Sequence, residues 1–394
     1  MRNVMSWINR SHIIIVAAII LIFANEFTLS FFDPQLPFDQ KAIKNLRILD
    51  IAIILLILTL IFPYMKIISY VSSVTKETLS YILPVFIAVV ALDIIMKLLG
   101  YGYPTHYNQE NLERVPHPHD TFRGQPNVRD HNEFGFRGTF KSSENNYNIA
   151  IFGGSTTYNG TPPIIEIMSE KLRKKGMNVG VYNFGSVSSN HSQHVHRLIE
   201  FSDRYSFDLV IFYGGGNETF QYANYDPRPG YPYNFFFRNE LAPWKQALLR
   251  FSSIAGEIDM YTGGTISGLE NLRAGKLDDT WQSAVVKNYW RDLSLANSIT
   301  RHIINPNICN VSRFLSVLQP GNPQTELEKA LWEALLNSQS TNFPTWKHID
   351  LTHVSDSIEF TDIIHVTQSS RAIIAANLVE IIEDDLKDCE GDFK

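Results

Sequence analysis

Long, nearly uninterrupted apolar runs occupy the first hundred positions of the chain. They lie within residues 12–32, 48–70 and 79–99. Each is about 20 residues long, which is the length that a helix needs to cross a hydrocarbon core of about 30 Å. A cleaved signal peptide has a shorter apolar core and a small-residue cleavage site, and three successive runs disfavour that alternative. The pattern predicts a three-helix transmembrane anchor at residues 1–100.

From Tyr147 the pattern changes to short apolar runs that alternate with helical periodicity. The predicted strands are residues 149–152, 177–184, 207–213, 314–318 and 347–351. The predicted helices are residues 162–174, 190–205 and 367–383. Strands that alternate with helices favour a mostly parallel sheet covered on both faces. We therefore expect an α/β domain at residues 147–394.

Two segments depart from this alternation. Residues 101–146 are polar and are predicted to form a lead-in segment that crosses the domain surface. Phe134 and Phe136 favour packing against the domain over a free linker, because burial of their aromatic side chains is stabilising. Residues 219–300 form a long insertion, irregular at its start, whose Tyr, Phe and Trp residues argue against disorder. It is either a lid or substrate platform, or a helical subdomain that packs for stability or rests on a membrane surface.

Charge and cysteine content exclude some classes of protein. The formal net charge is −6, so no basic surface suggests a nucleic-acid partner. Cys309 and Cys389 fit neither a disulfide framework nor a zinc-ribbon spacing. They are free to pair if the domain lies in an oxidising compartment, which the sequence alone does not decide.

The turn after the first predicted strand carries the candidate nucleophile. Gly153 and Gly154 end the strand, Ser155 follows, and a helical pattern begins soon afterwards. Ser155 therefore lies at the carboxyl edge of the sheet, where ligands of open α/β sheets bind. The alternative is an ordinary strand-to-helix turn in which Ser155 caps the helix.

The remaining elements of serine hydrolysis follow in chain order. Asp362 and His365 lie three residues apart, which allows the carboxylate to orient the imidazole as a general base. Gly185 and Asn217 each come directly after a predicted strand and are candidate donors of an oxyanion hole. Turn formation alone would also explain Gly185 and Asn217.

Histidines elsewhere raise the question of a metal. His191 and His194 share one face of a predicted helix that also carries His196, and a zinc site there is conceivable. His117 and His119 form a His-x-His pair in a polar segment. Neither group has further ligands at a matching spacing, so the sequence predicts no metal and no cofactor.

With these residues in place, residues 148–383 resemble the SGNH (GDSL-like) hydrolase family. The matching blocks are Gly153-Gly154-Ser155-Thr156, Asn183-Phe184-Gly185, Gly215-Gly216-Asn217-Glu218, and Asp362 with His365. The resemblance implies a flavodoxin-like three-layer α/β/α sandwich and a triad of Ser155, His365 and Asp362. It also implies an oxyanion hole formed by the Ser155 N–H, the Gly185 N–H and the Asn217 side chain. Glu218 departs from the family pattern, in which an Asp is usual.

These observations predict a membrane-anchored serine esterase that acts on acylated, above all O-acetylated, envelope carbohydrate or lipid. Its partners are then the lipid bilayer and that substrate. With three spans and the amino terminus inside, the catalytic domain lies outside the cytoplasm, although the distribution of Lys and Arg gives only a faint topology signal. An O-acyltransferase would use the same triad. A non-catalytic module that binds carbohydrate or a protein partner is the alternative from another class.

Overall fold

The computed structural model describes residues 73–99, 101–102, 114–128, 130–140, 144, 146–224, 228–231, 243–268, 270, 278–339 and 344–391. The chain forms two compact units. One comprises residues 1–117 and 235–267, and the other comprises residues 118–234 and 268–394. The second unit contains every residue that the sequence proposes for catalysis.

Seven strands and ten α-helices are named in chain order within the described residues. The strands are β1 Arg114–His117, β2 Thr121–Gly124, β3 Tyr147–Gly153, β4 Val179–Asn183, β5 Leu209–Gly214, β6 Arg313–Leu318 and β7 Lys347–Asp350. The helices are α1 Ser73–Leu98, α2 Ser155–Tyr158, α3 Ile164–Lys174, α4 His191–Phe201, α5 Gly216–Asn224, α6 Pro243–Phe251, α7 Ser253–Tyr261, α8 Asp279–His302, α9 Glu326–Ser338 and α10 Gln368–Gly391. A 3₁₀ helix, Thr352–Ser357, follows β7.

The central sheet is parallel throughout, as the sequence predicts. Its five strands lie in the order β4-β3-β5-β6-β7. The chain first winds from β3 outward to β4 and then returns to β5 on the other side, which is the flavodoxin-like order with its switch point between β3 and β5. Ligands of such sheets bind outside the carboxyl ends of the strands at that point. Ser155 follows β3 and Asn217 follows β5, so the switch point lies between them.

Alternate residues of each strand point to opposite faces and build two separate cores. In β3, Tyr147, Ile149 and Ile151 face a core formed with helices α3 and α10. Ala150 and Phe152 face the other core, to which α4, α8 and α9 contribute. The sheet is thus the middle layer of three. Phe136, from the lead-in segment, is fully buried in the second core.

The predicted insertion at residues 219–300 is in part a helix of the sandwich itself. Helix α8 runs for 24 residues, and its Tyr289, Leu293 and Ala296 are buried in the core beside β6. Residues 279–302 are therefore part of the sandwich and not of a lid, which was one of the two alternatives for this range. The aromatic cluster at its start lies largely among residues 225–227 and 232–242, which are outside the described residues.

Within the first unit, helix α1 contacts helix α7 through polar side chains. Asp93 Oδ1 accepts hydrogen bonds from Ser252 Oγ at 2.9 Å and from the Ile254 N–H at 2.8 Å. Lys97 Nζ donates to the Phe251 carbonyl at 3.0 Å. An acidic residue in a largely apolar helix thus caps the amino terminus of α7.

The first two predicted membrane spans lie outside the described residues, and residues 79–99 fall mainly on α1. In the part of the chain that the structure describes, no helix combines the length and the hydropathy of a membrane span.

A disulfide fastens the last helix to the sheet. Cys309, in the loop before β6, pairs with Cys389 in α10 across a Cα–Cα distance of 5.4 Å. Both side chains are buried. Nearby, Tyr147 donates a hydrogen bond to Asp385 of the same helix. Cys389 and Asp385 lie near the carboxyl end of α10, whereas His365 precedes its first turn, so these contacts hold the far end of the helix that follows the candidate base.

We expect loss of this disulfide to destabilise the second unit without abolishing its fold. The bond closes a loop of 80 residues, and cross-links of this kind contribute about 2–4 kcal/mol to the free energy of unfolding. Chemical denaturation of the Cys309→Ser/Cys389→Ser double variant measures the change. Treatment of the wild type with a reductant should give the same loss. An unchanged midpoint in both samples would show that the two cysteines are not paired.

Candidate active site

The turn between β3 and α2 is too crowded for any residue but glycine at two positions. A Cβ at Gly153 would lie 2.4 Å from Thr157 Cγ2 and 2.9 Å from the Tyr213 carbonyl oxygen. A Cβ at Gly154 would lie 2.2 Å from Asn217 Nδ2. The two glycines therefore let Ser155 emerge at the sheet edge with the side chain of Asn217 packed directly against the turn.

Three of the predicted residues meet in one hydrogen-bonded chain. Ser155 Oγ lies 2.7 Å from His365 Nε2, and His365 Nδ1 lies 2.5 Å from Asp362 Oδ2. Because Asp362 is an acceptor, Nδ1 carries the proton and Nε2 is free to accept the proton of the Ser155 hydroxyl. Ser155 is almost completely buried, whereas 30% of the His365 side chain and 49% of the Asp362 side chain are exposed.

The segment that contains Asp362 and His365 fixes the carboxylate by its own backbone. Asp362 Oδ1 accepts from the N–H groups of Ile364 at 2.9 Å and His365 at 2.7 Å. Partial burial favours the protonated acid, but the hydrogen bonds from these N–H groups and from the His365 ring outweigh it and lower the pKa of Asp362 below its usual value. The carboxylate therefore stays ionised while it orients the imidazole.

The predicted oxyanion donors are only partly brought together. The Asn217 side chain packs against Gly154, and one of its two N–H bonds is donated to the Ser189 carbonyl at 2.7 Å. Among the described residues no acceptor is found for the other N–H, which can be donated to an oxyanion. The Gly185 N–H, by contrast, is donated to Asn183 Oδ1 at 2.9 Å. Gly185 is therefore not an available donor, because an upstream asparagine folds back on its own turn.

Ser188, which the sequence analysis did not single out, offers a replacement. It lies at the end of the same turn with φ of 59°, a backbone conformation unusual for a non-glycine residue. Ser186 N–H donates to the Gly153 carbonyl, and Ser189 Oγ also reaches that oxygen, so this turn runs beside the nucleophile turn. No acceptor for the Ser188 N–H is found among the described residues. Glycine is the usual residue at a positive φ, so a serine at this position gives no sign of the turn in the sequence.

A buried polar network supports the turn from behind. His194 Nε2 contacts Ser189 Oγ at 3.0 Å, and His194 Nδ1 lies 3.2 Å from His191 Nδ1. Glu218 accepts from the N–H groups of His191 and Gly215, both at 2.7 Å. Burial lowers the pKa of His191 to about 3 and raises that of Glu218 to about 7, so the network is largely neutral below neutral pH.

The structure changes the set of candidate zinc ligands, because Glu218 joins His191 and His194. His196 is exposed, whereas His191, His194 and Glu218 place ligand atoms within 4.8 Å of one another. The glutamate departs from the family pattern and was not considered as a ligand from sequence. All three side chains are buried and already bonded within the protein. This donor set fits an ion such as Zn²⁺, but no catalytic step needs one here.

Comparisons with known proteins find similarity among solved structures alone. A scan against protein-family models and a search of curated proteins both find no match. Among solved structures, a member of the lipolytic G-D-S-L family from Veillonella parvula shows a TM-score of 0.35 and 13% identity, covering 59% of this chain and 97% of that chain. A lipase/acylhydrolase from Enterococcus faecalis shows 0.34 and 12%, covering 60% and 95%.

A catalytic mutant of an acetylxylan esterase from Geobacillus stearothermophilus is similar at the same level. Its TM-score is 0.35 at 11% identity, covering 59% of this chain and 93% of that chain. At these TM-scores the likeness assigns no activity to this chain, and the chemistry must be argued from the site itself.

We expect Gly154→Ala to impair ester hydrolysis by displacing Asn217. The added Cβ would meet Asn217 Nδ2 at 2.2 Å, and loss of one oxyanion donor typically lowers kcat by about 10²–10³-fold. The matched control is a double-mutant cycle with Asn217→Ala. If the two changes act through the same side chain, the double variant is no slower than Asn217→Ala alone. Multiplicative losses would contradict this explanation.

We expect Glu218→Gln to alter the dependence of stability on pH. Burial raises the pKa of Glu218 in the folded protein to about 7, above its ordinary value of 4.5, so the contribution of Glu218 is fully present at acidic pH and is lost as pH rises towards 7. The glutamine variant lacks this loss. Its melting temperature relative to wild type should therefore increase between pH 5 and pH 8 in thermal unfolding experiments. A constant difference across that range would show that Glu218 is ionised throughout.

Proposed function

We propose that this protein is a serine hydrolase of carboxylic esters. The observation that carries the proposal is the continuous chain from Ser155 Oγ through His365 to Asp362, with contacts of 2.7 and 2.5 Å. It lies at the sheet edge where such folds bind ligands. The order of nucleophile, acid and base along the chain also matches the SGNH resemblance of the sequence.

The reaction follows from the atoms in contact. His365 Nε2 takes the hydroxyl proton as Ser155 Oγ attacks the ester carbonyl, and the oxygen of the tetrahedral intermediate takes the negative charge. The Ser155 N–H, the second Asn217 N–H and the Ser188 N–H stabilise that charge. His365 then gives its proton to the leaving alcohol. Water, deprotonated by His365, then attacks the acyl-Ser155 ester, and His365 returns that proton to Ser155 Oγ as the acid leaves.

Exposure of the base favours hydrolysis over transfer. With 30% of its side chain exposed among the described residues, His365 is open to the solvent that must attack the acyl-enzyme. Acyl transfer to a sugar hydroxyl would use the same residues but requires that water be excluded. We therefore place the O-acyltransferase second.

Location and substrate extend the proposal. We propose a membrane-anchored enzyme that acts outside the cytoplasm on O-acylated, above all O-acetylated, envelope carbohydrate or lipid. The three apolar runs of the sequence support anchoring, and the Cys309–Cys389 pair supports an oxidising compartment. Retention of the full chain in washed cell membranes tests anchoring. Release into the soluble fraction would contradict it.

We expect the wild type to hydrolyse 4-nitrophenyl acetate and Ser155→Ala to lose that activity. Asp362→Asn should lower kcat by about 10³–10⁴-fold, because an amide nitrogen cannot accept the His365 Nδ1 proton and the wrong tautomer forms. Asp356→Asn, an exposed carboxylate in the preceding 3₁₀ helix, is the matched control and should be unaffected. Equal rates in wild type and Ser155→Ala would exclude the proposed nucleophile.

A further inference from the structure

A cleft of about 250 Å³ opens beside the nucleophile. Its lining includes Ser155, His365 and residues of the first turns of α10, but neither Asn217 nor Gly185. The cleft therefore lies away from the wall that holds the oxyanion donors. Since His365 Nε2 must protonate the departing alcohol, the part of a substrate that enters this cleft is its alcohol side.

The described lining of this cleft carries a positive charge and no negative one. Among the residues that the structure describes, its lining includes Arg371 and no aspartate or glutamate. The other walls are mainly apolar or carry hydroxyl and amide groups, among them Ile164, Ile374, Asn159 and Thr367. An arginine among such walls attracts an anion more strongly than it would in open water, because fewer water molecules compete for it.

Arg371 is held in place without a counter-ion. Its guanidinium rests on Gly160, where an added Cβ would lie 2.9 Å from Arg371 Cζ. Arg137 donates to the Gly160 carbonyl at 2.8 Å and so fixes the loop beneath. Arg371 Nη1 reaches the Val366 carbonyl only at 3.4 Å, and its buried Nε has no partner. In the part of the chain that the structure describes, no carboxylate pairs with this guanidinium.

We propose that Arg371 selects esters whose alcohol part carries an anionic group, a carboxylate or a phosphate. This inference rests on the proposed ester hydrolysis by Ser155 and adds a substrate class to it. The planar guanidinium presents N–H groups in a fork that matches either oxyanion. The anion would displace solvent from the open side of Arg371 and hold the scissile ester against Ser155.

The test compares esters that differ only in charge. 4-Acetoxybenzoate and 4-acetoxybenzamide share the acetyl group and the ring but carry a carboxylate or a neutral amide, and 4-acetoxyphenyl phosphate supplies the phosphate arm. In the full-length protein, Arg371→Gln should raise KM for the anionic esters about 10–100-fold and change kcat/KM for the amide by less than about threefold. The arm with the larger change identifies the preferred anion.

Two further variants separate a charge contact from a packing role. Lys387→Gln removes an exposed positive charge from the same helix and should leave all three esters unaffected. Arg371→Lys keeps the charge without the fork and should give intermediate values of KM. Equal losses for the amide and the anionic esters in Arg371→Gln would overturn the proposal and leave the hydrolase assignment intact. Failure of the wild type to hydrolyse any of the three esters would overturn both.

Discussion

The contact between Ser155 Oγ and His365 Nε2 spans 2.7 Å in space and 210 positions in the chain. Parallel strands place their carboxyl ends at one edge of a sheet. Ser155 follows β3 at that edge, and the segment with His365 follows β7 and the 3₁₀ helix. Burial of alternate side chains of β3 in two separate cores fixes the strand register. A slip of β3 by one residue would exchange the side chains that face the two cores and would displace Ser155 from its position opposite His365.

The oxyanion wall depends on a second, polar constraint behind the sheet edge. Ser189 contacts His194 and accepts from Asn217, while Glu218 joins the start of α4 to the turn after β5. Buried polar groups of this kind are costly unless their partners are in place. The network therefore specifies one arrangement of the two turns. The site is positioned by these hydrogen bonds as much as by apolar packing.

Sequence patterns were sufficient for the five strands of the central sheet and for the triad, because each depends on local spacing, but not for β1 and β2 in the lead-in segment. Alternation of strand and helix predicts the parallel sheet. Asp362 and His365 are only three residues apart, so their hydrogen bond is predictable from the sequence alone. Contacts between distant turns were not accessible. The positive φ of Ser188 and the position of Arg371 in the cleft arise only once separate segments pack. The hydrogen bond from the Gly185 N–H to Asn183 is local, but the sequence does not show which way the asparagine side chain turns. Helix α8 was missed because its polar face dilutes the apolar periodicity.

Activation of Ser155 by His365 is the central claim, and covalent labelling tests it most directly. Purified protein is incubated with a fluorophosphonate and analysed by intact mass and peptide mapping, beside the Ser155→Ala and His365→Ala variants. The account predicts one adduct, located on Ser155, that both variants lose while their melting curves still show a folded protein. Folded wild type without an adduct, or an adduct that persists in His365→Ala at the same rate, would contradict it.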